Sequence, residues 1–266
     1  MQQRSGPDTV TLASGGRLVV VSDYDAMSAL AADTVASTVT AHPDAAITLP
    51  TGTTPRGMYE ALVARIHDGA VSFDSVEFFC LDDYLGKGIR DETSLTAWLD
   101  AVFFTPARLH GGNIHFVPTL APDPEAAAED YERAIEAKGG LELAVLGLGP
   151  NGHIGFNEPG SPIDSRTRVV QLTAESRDQN AAYYESAEAI PDKAMTIGIS
   201  TLLKARQVVL IVSGAAKSAI LRASLQGPVT SEVPGSYLQT IGDRLTVIAD
   251  VEAAAELDIE ARSVGA

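Results

Sequence analysis

Only one of the 266 residues is a cysteine, Cys80, so no intrachain disulfide can form and a cysteine-based zinc site would lack ligands. Long apolar runs are missing as well. Residues 1–11 are polar, without the apolar segment of a signal peptide, and no later run approaches the ~20 apolar residues that span a bilayer. These absences set the expectation of a cytoplasmic protein with no membrane partner. Basic residues are scarce: 19 Lys and Arg stand against 35 Asp and Glu, a formal net charge of −16. Such a molecule repels a nucleic-acid backbone as a whole, whereas a small anion can still be held by a local group of donors. No heptad seam, internal repeat or low-complexity block is present, and no Pro/Gly linker divides the chain. With 45% hydrophobic residues there is ample material for a core, and the expectation is one α/β domain over residues 1–266.

What is present is an alternation. β-branched apolar runs at 17–21, 46–49, 75–79, 142–147, 207–213 and 245–249 read as buried strands, and Ala-rich stretches at 24–41, 54–67, 93–103, 123–138 and 214–225 read as helices. Pro122, Asp123 and Pro124 mark a helix start, and Gly139-Gly140 a stop. This pattern predicts an open, mostly parallel, doubly wound (Rossmann-like) α/β sheet with helices on both faces. Residues 161–190 show no clear strand and are long for a plain connection, which predicts a lid-like insertion.

Four segments carry candidate chemistry. Residues 147–159 read Gly-Leu-Gly-Pro-Asn-Gly-His-Ile-Gly-Phe-Asn-Glu-Pro directly after an apolar run. Gly147, Gly149 and Gly152 allow close backbone approach or positive φ, while His153 and Glu158 can move protons or hold charge; the plainer alternative is a strand-to-loop turn with a surface histidine. Leu49-Pro50-Thr51-Gly52-Thr53-Thr54-Pro55 carries a short strand into a helix and offers a phosphate N–H groups, hydroxyls and the positive end of a helix dipole. It matches neither the nucleotide P-loop nor the dinucleotide fingerprint, and a threonine there also reads as an ordinary helix cap. Asp82 and Asp83 follow the apolar 78–81 run. Adjacent positions in extended backbone point opposite ways, so one of the two is expected to face a site and the other to support the loop. Lys217, in Ser213-Gly214-Ala215-Ala216-Lys217, begins a further helix after a buried strand and can close on the same anion, or stand in solvent.

Taken in order, Leu-Pro-Thr-Gly-Thr-Thr-Pro, Leu-Asp-Asp-Tyr, the glycine-rich His153 segment and Gly-Ala-Ala-Lys resemble glucosamine-6-phosphate deaminase (isomerase), within the glucosamine-6-phosphate isomerase/6-phosphogluconolactonase superfamily. The likeness runs from about residue 17 to about residue 250, and its most specific piece is residues 153–159. The related 6-phosphogluconolactonases share the glycine-rich turn and the Gly-His pair, but typically continue with a small residue and a Ser-Leu-Phe-type run where this chain has Phe156-Asn157-Glu158; the deaminase branch is favoured. The resemblance implies an aldose–ketose isomerisation coupled to deamination. Glucosamine 6-phosphate, or a close hexosamine 6-phosphate, and water would become fructose 6-phosphate, or the matching ketose 6-phosphate, and ammonia, without metal or organic cofactor. By the same resemblance, His153 would assist ring opening, with Glu158 and Asn151 orienting it. Asp82 would take the C2 proton and help return it at C1, and Gly52, Thr53, Thr54 and Lys217 would hold the phosphate.

The chain departs from the family pattern at several positions. Asn151 stands where an acidic residue is frequent, and Leu95 where tyrosine is usual. Ala182 replaces an arginine that several members direct at the phosphate, leaving Arg177 or Arg56 as candidates. Val170 stands where a lysine accompanies Arg168 in members activated by an N-acetylated sugar phosphate, so that control is not expected. Members occur as monomers and as higher assemblies, which leaves a homo-oligomer open. Two other readings stay open at this stage: a different sugar-phosphate enzyme on this fold, such as a lactonase, and a noncatalytic sugar-phosphate sensor.

Overall fold

A computed structural model of the chain describes residues 8–173 and 191–259. The β-branched runs form strands where they were expected: β2 (Arg17–Val21), β3 (Ala46–Thr48), β4 (Glu77–Phe79), β7 (Leu143–Gly147), β10 (Gln207–Val212) and β11 (Leu245–Asp250). Two short strands extend the same sheet, β1 (Asp8–Thr11) and β6 (Ile114–His115), giving the order β1-β2-β11-β10-β7-β3-β4-β6. All neighbours are parallel except β1, which runs antiparallel to β2 at the edge. The central strands are buried along most of their length, as near-continuous Val/Leu/Ile runs require in a parallel sheet.

Helices sit where the Ala-rich stretches predicted them. α1 (Tyr24–Ala41) is N-capped by Asp23 and packs on β10, β11 and α2 (Arg56–His67). α3 (Leu95–Leu99) runs into a π-helical turn, Asp100–Phe104. α4 (Pro124–Ala137) starts as the Pro-Asp-Pro signal requires, with the Asp123 carboxylate accepting from the Ala126 N–H at 3.1 Å. It stops at Gly139 and Gly140, both at positive φ. Further along the described residues come α5 (Ile199–Leu203) and α6 (Ser218–Gln226), with 3-10 turns at Ala215–Lys217 and Pro234–Arg244. Among the described residues no helix is long and apolar enough to cross a membrane.

A second, antiparallel sheet was not anticipated. β5 (Asp82–Tyr84), β9 (Lys193–Thr196) and β8 (Arg168–Gln171) pair in the order β5-β9-β8. β8 corrects the expectation that residues 161–190 hold no strand: four residues flanked by polar neighbours give no periodic signal, and pairing with β9 decides their conformation. Residues 174–190, including Arg177 and Ala182, lie outside the described residues.

The chain order has one reversal that positions the site. From β3 the chain moves outward through β4 to β6, then returns to β7 beside β3 and moves the other way through β10 and β11. At such a switch point the loops leaving the two strands part in opposite directions and open a crevice at the carboxyl ends. The register sets the level: Ile47, Phe78 and Leu143 pair across β3, β4 and β7, so Thr51, Asp82 and Gly147, each four residues further on, emerge side by side.

Candidate active site

A cleft of about 260 Å³ opens at this switch point. Its walls include Gly52, Thr53 and Thr54 after β3, Asp82 at the start of β5, His153 after β7 and Lys217 after β10. Six of the eight residues singled out from the sequence therefore share one cavity, although they span the chain from Gly52 to Lys217. The other two, Asn151 and Glu158, do not line it and stand behind His153.

Tyrosines fix the strand ends. A carbonyl just past a strand has no ladder partner, and burial makes an unpaired one costly. The fully buried Tyr59 hydroxyl donates to the Pro50 carbonyl at 2.6 Å, and the Tyr131 hydroxyl donates to the Cys80 carbonyl at 2.9 Å. Tyr24 reaches across from α1, donating to the Thr53 carbonyl at 3.2 Å and accepting from the Gly57 N–H at 2.9 Å. α2 begins after Pro55 with no side-chain cap, so the threonines of the turn do not serve as caps. Thr51, Thr53 and Thr54 line the cleft just ahead of the start of α2, an arrangement that can receive an anion. Gly52, at φ 108°, makes the turn, in a backbone region that L side chains avoid.

Asp82 and Asp83 divide their roles as strand alternation predicts. Asp83 points away from the cleft and accepts from the Tyr84, Leu95 and Thr96 N–H groups and, at 2.6 Å, from the Ser94 hydroxyl; it holds the loop and the start of α3. Asp82 lines the cleft while only 6% exposed. Burial, and then the Asp83 charge beside it, push its pKa up to about 7, against a smaller opposing effect from the Phe156 N–H.

His153 is set by its own turn. Its imidazole lies over Gly149 so closely that a Cβ there would fall 2.2 Å from the ring, so any side chain at that position would push the imidazole out of its place. Nδ1 stands 3.4 Å from Glu158 Oε2. Asn151 ties the two together: its side-chain amide donates to Glu158 Oε2 at 2.8 Å and its Oδ1 accepts from the His153 N–H at 3.1 Å. Asn157, fully buried, fixes the rest of the segment by donating to the Ile154 and Ile197 carbonyls. Lys217 ends the 3-10 turn instead of beginning the following helix. Its Nζ donates to the Leu148 carbonyl at 2.8 Å, and burial holds its pKa below the usual lysine value.

A family model described as glucosamine-6-phosphate isomerases/6-phosphogluconolactonase matches residues 23–247. The chain belongs to this family. A glucosamine-6-phosphate deaminase of Halothermothrix orenii is 38% identical over 91% of this chain and 100% of its own length. One of Clostridioides difficile is also 38% identical, over 91% of this chain and 97% of its own. Among solved structures, a monomeric glucosamine-6-phosphate deaminase superposes with a TM-score of 0.86 at 34% identity, covering 90% of this chain and 99% of that one. A 6-phosphogluconolactonase from Trypanosoma cruzi reaches a TM-score of 0.71 at 17% identity over 91% of this chain and 97% of its own, a likeness of fold alone.

Set in this deaminase and lactonase family, the departures acquire positions. Arg168 is turned inward, donating to Asn157 Oδ1 at 2.8 Å and to the Ser161 hydroxyl at 3.1 Å. Arg56 lies over the Trp98 ring, 5.5 Å from its centroid, and Trp98 lines the cleft. Leu95 lines it too and packs against Tyr84, Phe156 and Leu172. The sequence reading missed Glu92 and Trp98, which reach the cavity from the loop before α3 and from α3 itself, segments that carry no motif.

Proposed function

We propose that the chain is a glucosamine-6-phosphate deaminase, converting glucosamine 6-phosphate or a close hexosamine 6-phosphate and water to the ketose 6-phosphate and ammonia. The observation that carries the reading is Asp82, a buried carboxyl with a pKa of about 7 that shares one cleft with His153, Lys217 and the Gly52-Thr53-Thr54 turn. A general base works best when its pKa lies near the operating pH, since it is then ionised in a large fraction of molecules and still holds a proton firmly.

The turn and Lys217 grip the phosphate, and this non-reacting end positions the sugar carbons. His153, its ring pressed on Gly149 and its Nδ1 side facing Glu158, moves a proton between the ring oxygen and the C1 hydroxyl as the pyranose opens. Asp82 removes the C2 proton and delivers it to C1, which leaves an iminium at C2. Water adds there and ammonia departs. Asn151 and Glu158 act through His153.

The test is ammonia release across a panel of hexosamine 6-phosphates, with acid production from 6-phosphogluconolactone followed in parallel. Ammonia from an amino-sugar phosphate is expected. Acid from the lactone without any ammonia would overturn the reading, and binding without turnover of either would favour a sensor.

A further inference from the structure

Among the described residues lining the cleft, Lys217 is the sole lysine or arginine, so its placement weighs heavily on how an anion is held there. Packing does not place it. None of the residues in its 3-10 turn, Ala215–Lys217, is buried, and Ala215 and Ala216 are exposed. The turn is tied at its start instead: the Gly214 carbonyl accepts from the Lys217 N–H at 3.0 Å, and Gly214 itself stands at φ 90°. A glycine enters that region freely and leaves it as freely, so a group outside the turn has to select the conformation. Asp250, the last residue of β11 on the neighbouring strand, is that group. Its two carboxylate oxygens accept from the Gly214 N–H at 3.1 and 3.0 Å. Oδ2 also accepts from the Ser213 hydroxyl, and Oδ1 from the Ala253 N–H at 2.8 Å. Asp250 is 4% exposed and does not line the cleft. Its donors are all neutral, and they come from the loops that leave two adjacent parallel strands, β10 and β11.

We propose that Asp250 is a positioning residue for Lys217: it clamps the loop after β10 so that the lysine ammonium meets the substrate's phosphate. This deepens the deaminase reading and rests on its assignment of Lys217 to the phosphate. A carboxylate suits the task because two oxygens, neither carrying a proton, take donors from both loops at once. Asparagine has one such oxygen and would set its amide hydrogens against the remaining donors. At the far end of the lysine, Nζ is held by the Leu148 carbonyl at 2.8 Å, but a flexible four-carbon stem separates it from the backbone. A loop released at Gly214 therefore lets the ammonium drift from the Gly52-Thr53-Thr54 turn.

The experiment compares Asp250→Asn and Asp250→Ser with the unaltered protein. Asn keeps the volume, whereas Ser still caps the Ala253 N–H and gives up the Gly214 N–H. One readout is KM and kcat for ammonia release from glucosamine 6-phosphate, and the other is the Kd of inorganic phosphate followed by 31P NMR. Both variants are expected to raise KM and the phosphate Kd about 10-fold, with kcat within about 2-fold of the unaltered protein. A merely structural role would lower kcat through the active fraction and leave KM and Kd in place. On a Lys217→Met background, Asp250→Asn is expected to add less than about 2-fold to KM, because the two residues act through one contact. Unchanged KM and Kd, a loss confined to kcat, or the full effect persisting beside Lys217→Met overturns the proposal. Failure of both variants to fold makes Asp250 a residue of the fold and overturns it as well. If the unaltered protein binds phosphate but releases no ammonia, the deaminase reading fails and the phosphate titration decides this one. An unaltered protein that binds no phosphate overturns the phosphate grip and the clamp with it.

Discussion

Two adjacent aspartates in one short strand have opposite fates because extended backbone alternates its side chains. Asp83 is surrounded by donors, whereas burial leaves Asp82 poorly solvated, and the difference has consequences for both rate and stability. As a base Asp82 must be ionised, so kcat/KM is expected to climb as pH rises through about 7. Asp82→Asn should still bind the sugar phosphate but lose about 10²–10⁴-fold in kcat, measured by ammonia release. The folded-state pKa lies above the ordinary carboxyl value of 3.8. Between the two values the folded state keeps a proton that the unfolded chain has released, so stability falls as pH rises and the loss is complete above about 7. Asp82→Asn should therefore be the more stable protein at about pH 8, by on the order of 2–4 kcal/mol, and gain much less at about pH 4. Urea melts at the two pH values check this, and equal stability at the higher one would contradict it. That one aspartate faces a site and the other a loop was legible from strand alternation, and the resemblance named Asp82; the Ser94–Thr96 donors that fold back on Asp83 are the tertiary reason.

At the scale of elements, the long periodic pieces were readable and the short ones were not. α1 occupies the range that its alanine content indicates, and α4 the range that its Pro-Asp-Pro start and glycine stop indicate. β5, β8 and β9 hold three or four residues each, with aspartates, arginine or lysine among them, and local preference is too weak there to compete with pairing. Their joining is what brings Thr196 beside Asp82. Two contacts between elements can be tested. Asp83→Ala leaves the N–H groups at the start of α3 and the Ser94 hydroxyl without their acceptor in a buried setting, and should cost about 2–4 kcal/mol in a urea melt. Tyr24→Phe unties α1 from the Thr53 turn and frees the Gly57 N–H. About one hydrogen bond's worth of positioning is lost, so KM for the sugar phosphate should rise about 5- to 10-fold with kcat nearly unchanged. A fall in kcat with constant KM would place Tyr24 outside the phosphate grip.

For the whole molecule, the sheet is the rigid frame and the loops at its carboxyl edge carry the site. β7 and β10 are central, parallel on both sides and buried along nearly their whole length. Their amides should be the last to exchange in a hydrogen-exchange experiment, with the edge strands β1 and β6 exchanging first. Rapid exchange in β7 would mean that the cleft lacks a fixed floor. The order of apolar and Ala-rich runs determined that the chain makes an α/β sheet, and composition determined that it has no intrachain disulfide and a strongly acidic balance, because hydrophobic period, residue counts and charge are properties of the chain itself. The motifs went further and marked His153, Asp82 and the Gly52-Thr53-Thr54 turn, since glycines and polar residues placed directly after apolar runs stand at strand ends wherever the strands go. Only the tertiary structure decided that these ends meet. The reversal between β3 and β7, the shared register of Ile47, Phe78 and Leu143, and the burial that lifts Asp82 to about 7 all arise from contacts between residues far apart in the chain, and no local pattern encodes them.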